Sequence, residues 1–328
     1  MNSKNSINPI NYLIELALKE DIGKGDITTH ALIPKNQKST AVITAKENGI
    51  VAGLPLIKLI YQSRKLSGRN IKVTLKVKEG SAVKEGSIIA VITGPTRDIL
   101  SGERTVLNFL QRLSGIATLT NQFIKKVAGY KVKILDTRKT VPGWRILDKY
   151  AVKMGGGFNH RFGLDDAFLI KGNHLKTLSI WESLQKIQNL SKRIKRIPQI
   201  QQINPPYRLN PLTKSIPVEI EVRNLDEFTM ALIFLTDKAV SKPIIMLDNM
   251  TPKEIKEAVK IRNKTNPEGI RDGKGKSFLT HNKIMLEASG GITLNNIKQF
   301  ASTGVDYISI GMLTHSPKAL DISLQIKH

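Results

Sequence analysis

From residue 130 onward the chain repeats a unit that few folds accommodate: a short, nearly continuous apolar stretch followed by an amphipathic one. The apolar stretches are KILDTRKT (133–140), AFLIKGNH (167–174), PVEIEV (217–222), PIIMLDN (243–249), MLEASGG (285–291) and YISIGML (307–313). Strands this apolar are buried on both faces, and strands joined through helices run parallel. The segments between them carry helix-start chemistry. Ser179 with Glu182 and Asn224 with Glu227 stand in capping-box spacing, and Pro252 follows Thr251 at a first helical position. Six such units predict a β/α barrel, complete or open.

The polar residues of these units fall at one end. Arg138 and Lys139, Lys171, Glu221, Asp248, the run Ser289-Gly290-Gly291 and Gly311 all lie at or just beyond the C-terminal ends of the strands. That face carries the site in β/α barrels. A charge at the inner end of a strand is costly to bury unless it is paired or liganded. Charges ending four strands therefore point to one shared polar mouth, and to an enzyme ahead of a scaffold.

Three constellations carry chemistry. Arg138, Lys139, Arg161 and Lys171, with His160, form a cationic set; guanidinium forks bind carboxylates and phosphates in bidentate fashion, and lysine acts as a point charge. Such a set calls for a ligand with several negative charges, or else for salt bridges to Glu221 and Asp248 with no ligand. Those two acids can hold Mg²⁺ largely carried by the substrate, accept bonds from sugar hydroxyls, or serve as a general base. Ser289-Gly290-Gly291, ahead of a helix opened by Thr293, and Gly311 after the last strand offer backbone amides to a phosphate; a plain turn is the alternative. Gly155-Gly156-Gly157 precedes Asn159-His160-Arg161 and lets the chain run close to a ligand.

The first part of the chain reads differently. Ile10, Leu13, Ile14 and Ala17 fall on one helical face, and the helix ends before Gly23. Alternating segments at 40–53 and 71–94 predict strands and hairpins. A long helical region from about Arg97 to Val127 is expected to break near Ser114-Gly115.

Composition excludes several classes. Among the 328 residues there is no cysteine, so neither a disulfide framework nor a thiolate metal site is available, and a reducing, cytoplasmic setting is the default. No apolar run approaches the roughly 20 residues that a bilayer requires. The net charge of +24 is concentrated in part in residues 191–216, which carry cations and no acid, and in 262–283. Such charge fits a solvated surface or electrostatic attraction of polyanionic substrates. Nucleic-acid binding is the weakest reading, because aromatic residues make up 5% and are not interleaved with those cations.

In this order the motifs resemble the quinolinate phosphoribosyltransferase family (nicotinate-nucleotide pyrophosphorylase, carboxylating). The likeness runs through Glu20-Asp21-Ile22-Gly23, Gly25-Asp26-Ile27-Thr28, Gly102-Glu103-Arg104-Thr105 and Asp136-Thr137-Arg138-Lys139-Thr140. It continues through Asn159-His160-Arg161, Glu219–Val222, Leu247-Asp248-Asn249, Glu287–Ile292 and Gly311–Ser316. The resemblance implies a type II phosphoribosyltransferase fold: an N-terminal α/β sandwich over 1–128, onto which the tail 315–328 returns, and an open α/β barrel over 129–314. It implies a homodimer in which Arg104 reaches the partner's site. The implied reaction joins quinolinate to phosphoribosyl pyrophosphate with Mg²⁺, giving nicotinate mononucleotide, pyrophosphate and CO₂; the alternative is a relative acting on another ring acid. Arg104, Arg138, His160 and Arg161 would then hold the ring carboxylates, with Thr137 among the substrate-binding residues, and Lys139 and Lys171 would face carboxylate and pyrophosphate. Glu221 and Asp248 would take ribose and Mg²⁺, and Ser289, Gly290, Gly291 and Gly311 the 5′-phosphate. One departure stands out: Lys171 is followed by Gly172, where the family usually has an acid.

Overall fold

The computed structural model describes residues 8–63, 65–66, 70–194, 217–237, 243–265 and 284–327. The chain opens with α1 (Pro9–Ile22) and α2 (Ile27–Leu32), then β1 (Lys38–Ala45), β2 (Gly49–Ile50), α3 (Leu54–Tyr61), β3 (Lys72–Leu75), β4 (Ala82–Val83), β5 (Ile88–Pro95) and α4 (Thr96–Lys126). There follow β6 (Lys133–Leu135), α5 (Arg145–Met154), β7 (Phe168–Ile170), α6 (Gly172–Leu175), α7 (Ile180–Ile194), β8 (Val218–Val222) and α8 (Leu225–Asp237). The last part holds β9 (Pro243–Asp248), α9 (Pro252–Thr265), β10 (Met285–Ser289), α10 (Ile297–Ala301), β11 (Tyr307–Ser309), α11 (Met312–His315) and β12 (Ile322–Lys327).

Two compact units result, and neither is continuous in the chain. One comprises Met1–Asn121, Thr140–Gly156 and Met312–His328; the other comprises Gln122–Lys139 and Gly157–Gly311. A linear cut between 128 and 129 would leave α5 with the barrel. Its side chains place it with the first unit instead: Asp148 receives Arg112 Nε at 3.0 Å and Nη2 at 2.8 Å, and Trp144 stacks on Phe109 with ring centroids 4.6 Å apart.

The first unit is built on an antiparallel sheet of order β12-β1-β5-β3, with β2 and β4 paired separately. Period-two alternation turns Ala41, Ile43 and Ala45 fully inward, and the C-terminal strand closes one edge with Ile43 opposite Leu324. Helix α4 does not break at Ser114-Gly115. The small pair forms a notch for close packing: a Cβ on Gly115 would strike the carbonyl oxygen of Lys318 and lie 3.1 Å from the Cα of Ala319. Ser114 Oγ accepts the Ala52 amide at 3.0 Å. Helical hydrogen bonding continues because glycine costs an exposed helix about 1 kcal/mol, which packing readily offsets.

The second unit is the open α/β barrel. Its six strands are all parallel in the order β6-β11-β10-β9-β8-β7, and the end strands β6 and β7 are not paired with one another among the described residues. The Ser179–Glu182 capping box forms as the spacing predicts, and Thr251 with Glu254 makes a further box. Glu182 N–H donates to Ser179 Oγ and Glu254 N–H to Thr251 Oγ1, while each glutamate accepts the cap residue's amide. At Asn224 only half of the box forms: the Glu227 amide donates to Asn224 Oδ1, while the Glu227 carboxylate takes the Arg223 amide. Most of the two basic stretches, 195–216 and 266–283, lies outside the described residues. Arg262, counted with the second stretch, is not a solvated loop cation: it sits in α9, 4% exposed, with Nη1 2.6 Å from Asp306 Oδ2. Among the described residues no helix is long and apolar enough to cross a membrane.

Candidate active site

The strand ends of the second unit gather the predicted residues. Beyond β6, the buried Asp136 organises the loop that presents two arginines. Its carboxylate accepts the His160 amide at 2.9 Å and the side-chain amide of Asn159, while Phe158 bridges in parallel to Leu135. Arg161 is braced by Nη1 donating to the Ala167 carbonyl at 3.0 Å. Burial first, and then the nearby Arg138, hold the Arg161 guanidinium below its ordinary pKa, with Glu219 and Asp166 opposing. Two like charges brought together out of water require an anion to offset them. Among the described residues, no hydrogen-bond partner reaches the buried Nε atoms of Arg138 and Arg161. Thr137 sets the turn around Arg138, its Oγ1 accepting the Lys139 amide at 3.0 Å, and Lys139 itself is exposed.

His160 faces inward rather than toward solvent. Its Nδ1 accepts the Arg161 amide at 2.8 Å, which leaves the ring hydrogen on Nε2, 2.9 Å from Glu219 Oε2 and 3.7 Å from Glu287 Oε2. Both ring nitrogens therefore engage protein atoms, and the ring props up the arginine loop. Glu219 and Glu287 are 2% and 0% exposed. Burial, and next the charge of Glu219, push the Glu287 carboxyl up to about 8; His160 and Ser309 pull the other way. The ligand atoms of His160, Glu219 and Glu287 all lie within 4.8 Å of one another, as a metal site requires. The hydrogen-bond pattern argues otherwise: a metal on Nε2 would put the ring hydrogen on Nδ1, against the Arg161 N–H. The cluster is a His160–Glu219 pair with the Glu287 carboxyl buried beside it.

A third group occupies the ends of β7, β8 and β9. Glu221 Oε2 lies 3.4 Å from Lys171 Nζ, and Oε1 accepts the Gly172 amide at 3.3 Å. Lys171 is thus oriented by Glu221 across the strands and does not need an acid at position 172. Burial, followed by the charge of Glu221, raises the Asp248 carboxyl above its usual range, with Asn249, Arg223 and Lys171 opposing. Two neighbouring carboxylates, Glu221 and Asp248, fit a divalent cation, and Mg²⁺ commonly takes one or two protein carboxylates plus substrate oxygens.

The loops after β9 and β10 interlock. The Asn249 amide donates to the Ser289 carbonyl at 2.8 Å, Asn249 has φ +56°, and Gly290 has φ +95°. A Cβ on Gly290 would strike Asn249 Oδ1, so no other residue fits there. The helix expected to open at Thr293 begins only at Ile297 and is 5 residues long. Asn296 explains the delay: its side chain accepts the Thr293 amide and donates to the Gly291 carbonyl, closing a turn. An anion at this loop would meet backbone amides rather than a strong helix dipole. Gly311 follows β11, whose continuation ties back to β6 through the Ile310 amide and the Leu135 carbonyl at 3.0 Å. Arg104 stands exposed on α4 in the first unit. Gly155 packs against α4, where a Cβ would lie 2.6 Å from Thr120 Cβ; it serves close packing within the first unit.

Asp136, Glu219 and Glu287 were not singled out as site residues from the sequence. A signal existed. In VEIEV and MLEAS an acid occupies the middle of a buried strand, and period two places Glu219 on the same face as Glu221.

An open parallel barrel that gathers paired arginines, facing carboxylates and glycine turns at its strand ends defines an α/β-barrel enzyme for anionic substrates. Comparison with known proteins gives the particular group. The model described as "Quinolinate phosphoribosyl transferase, C-terminal domain" matches residues 116–204 and 207–325, and the corresponding N-terminal domain model matches 26–114. The chain belongs to the quinolinate phosphoribosyltransferase family. It is 38% identical over 308 residues to a probable nicotinate-nucleotide pyrophosphorylase [carboxylating] of Bacillus subtilis, covering 94% of this chain and 90% of that protein. It is also 38% identical to a mitochondrial quinolinate phosphoribosyltransferase [decarboxylating] of Nicotiana glauca, covering 96% of this chain and 81% of the relative. The solved nicotinate-nucleotide pyrophosphorylase of Francisella tularensis superposes with a TM-score of 0.77 at 36% identity, with both chains fully covered.

Proposed function

We propose that this enzyme transfers the phosphoribosyl group of phosphoribosyl pyrophosphate to quinolinate with loss of CO₂, giving nicotinate mononucleotide and pyrophosphate in NAD synthesis. The observation that carries the reading is the half-buried pair Arg138 and Arg161, whose mutual repulsion calls for a ligand with more than one carboxylate. A monoacid would leave part of this set unpaired.

The ring nitrogen attacks the ribose C1 as pyrophosphate departs, and the positive charge that develops on the sugar is stabilised by Glu221 and Asp248. Arg138, Arg161 and Thr137 hold the ring, while His160 and Asp136 hold the arginine loop. Lys139 and Lys171 meet carboxylate and pyrophosphate, and Ser289, Gly290, Gly291 and Gly311 receive the 5′-phosphate through backbone amides. Once the nitrogen carries its fourth bond, the carbon–carboxylate bond breaks, CO₂ leaves, and the electron pair on the ring carbon is held next to the cationic nitrogen until a proton from water replaces it. Acid–base chemistry is minor and positioning dominates. Glu221 and Asp248 would hold Mg²⁺, which supplies charge neutralisation for the departing pyrophosphate.

The same proposal includes a cytoplasmic location and a homodimer whose Arg104 completes the partner's carboxylate site. Purified protein with Mg²⁺ and phosphoribosyl pyrophosphate should release CO₂ from quinolinate and leave nicotinate unchanged. A folded protein that turns over nicotinate in preference to quinolinate would overturn the substrate assignment.

A further inference from the structure

Arg223 belongs to none of the groups from which the site was predicted, yet it stands in the mouth. It follows the last residue of β8, and its backbone is fixed: its amide donates to Glu227 Oε2 at 2.8 Å while Asn224 caps Glu227 at 2.8 Å. The guanidinium turns back to the strand ends, with Nη2 3.8 Å from Glu221 Oε1. That separation is too long for a hydrogen bond, and among the described residues no hydrogen bond takes up the guanidinium. Its side chain is 57% exposed, beside Lys171 at 50%. An exposed ion pair of this length contributes little stability. The arrangement does place two cations on either side of one carboxylate, and both favour the charge of Asp248.

Gly172 makes room for this arrangement. A Cβ at position 172 would lie 2.8 Å from Arg223 Cζ, so any side chain there must displace the guanidinium. We infer that Arg223 is an additional cation for the diphosphate of the phosphoribosyl donor, admitted to the mouth by the missing side chain at Gly172. The inference rests on the proposed function and assigns a residue to its second substrate. Lysine and arginine on opposite sides of Glu221 present donors in different geometries, a point charge and a planar fork, which suits the two phosphates of one diphosphate.

The test uses inorganic pyrophosphate with Mg²⁺ as the probe, titrated calorimetrically into the wild type, Arg223→Ala, Arg223→Lys, Gly172→Ala and the Gly172→Ala/Arg223→Ala double variant, with KM measured for both substrates. Arg223→Ala is expected to weaken pyrophosphate binding about tenfold, the equivalent of one charge-assisted contact. KM for phosphoribosyl pyrophosphate should rise in parallel, KM for quinolinate should not, and Arg223→Lys should recover part of the loss. Gly172→Ala should weaken pyrophosphate in the same direction, and should add nothing once Arg223 is absent. Pyrophosphate affinity within twofold of wild type in Arg223→Ala, or full additivity in the double variant, would overturn the inference. A wild type that binds pyrophosphate through Arg223 but releases no CO₂ from quinolinate would refute the proposed function and leave the inference standing.

Discussion

Glu287 offers a quantitative test of the buried acid layer. Its carboxyl is completely buried beside Glu219 and is pushed from 4.5 up to about 8, chiefly by burial. Because the folded pKa lies above the unfolded one, the native state binds this proton more tightly. The contribution to stability is therefore complete below about pH 4.5 and is lost as pH climbs toward 8. One pKa unit corresponds to about 1.4 kcal/mol, so the whole interval has an upper value of roughly 5 kcal/mol. A difference of at least about 2 kcal/mol is the one to look for between pH 5 and pH 8. Glu287→Gln keeps the shape and a donor and removes the titration. Urea unfolding of both proteins at several pH values isolates the effect as the difference between them, which cancels the other titrating groups. The variant should gain on the wild type steadily from pH 5 to pH 8. A difference constant within about 0.5 kcal/mol across that range would refute the assignment of a held proton to this site.

Arg138→Ala should weaken quinolinate binding by roughly 3 kcal/mol, or more than 100-fold, as read by calorimetry with quinolinate; a loss under tenfold would remove Arg138 from the carboxylate site. In the first unit, Arg112 makes a two-pronged bond to the fully buried Asp148 and also donates to the Thr314 carbonyl at 3.1 Å. Arg112→Ala leaves that carboxylate unpaired and should lower unfolding stability by about 3–5 kcal/mol; an unchanged urea midpoint would contradict it. Gly290→Ala imposes a left-handed alanine against Asn249 and should raise KM for phosphoribosyl pyrophosphate while lowering thermal stability by about 2 kcal/mol or more. Wild-type kinetics and melting in that variant would show that the loop relaxes freely.

What could be read from the sequence follows from what periodicity records. The six parallel strands were visible because strands buried on both faces carry uninterrupted apolar runs. Glu221 and Asp248 were visible because they end such runs. Glu219 and Glu287 were not, because a single acid inside an apolar strand looks like an isolated exception until the register aligns it with a histidine from another segment. Ser114-Gly115 misled for the complementary reason. Glycine in a helix signals either a break or a close approach, and only the neighbouring Lys318 and Ala319 decide which. The break between units was also hidden, since Thr140–Gly156 joins the first unit through Asp148 and Trp144, residues that carry no local mark of their partners. Arg223 was hidden as well. A cation after a strand is unremarkable until Gly172, on the preceding strand's end, is seen to leave space for it.

The two halves of the site solve one electrostatic problem in different ways. At the ends of β6 and β7, Arg138 and Arg161 repel each other, and the acids near Arg161 only partly offset that repulsion. A charge on Glu287 would add to the negative layer that already includes Glu219 below the arginine loop. Holding a proton on Glu287 keeps one negative charge out of the layer below the loop. At the ends of β7, β8 and β9 the acids are instead near the surface, where Lys171 and Arg223 lie beside Glu221, and a metal-bearing diphosphate can exchange with them. The same reasoning links the first test to function. If Glu287 loses its proton as pH rises toward 8, the layer below the arginine pair gains a further counter-charge, and quinolinate affinity should weaken over that interval. Glu287→Gln should abolish that pH dependence while leaving the titration of inorganic pyrophosphate unaltered. Loss of affinity for both ligands together would mean that the buried layer acts on the whole barrel mouth and not through the arginine loop.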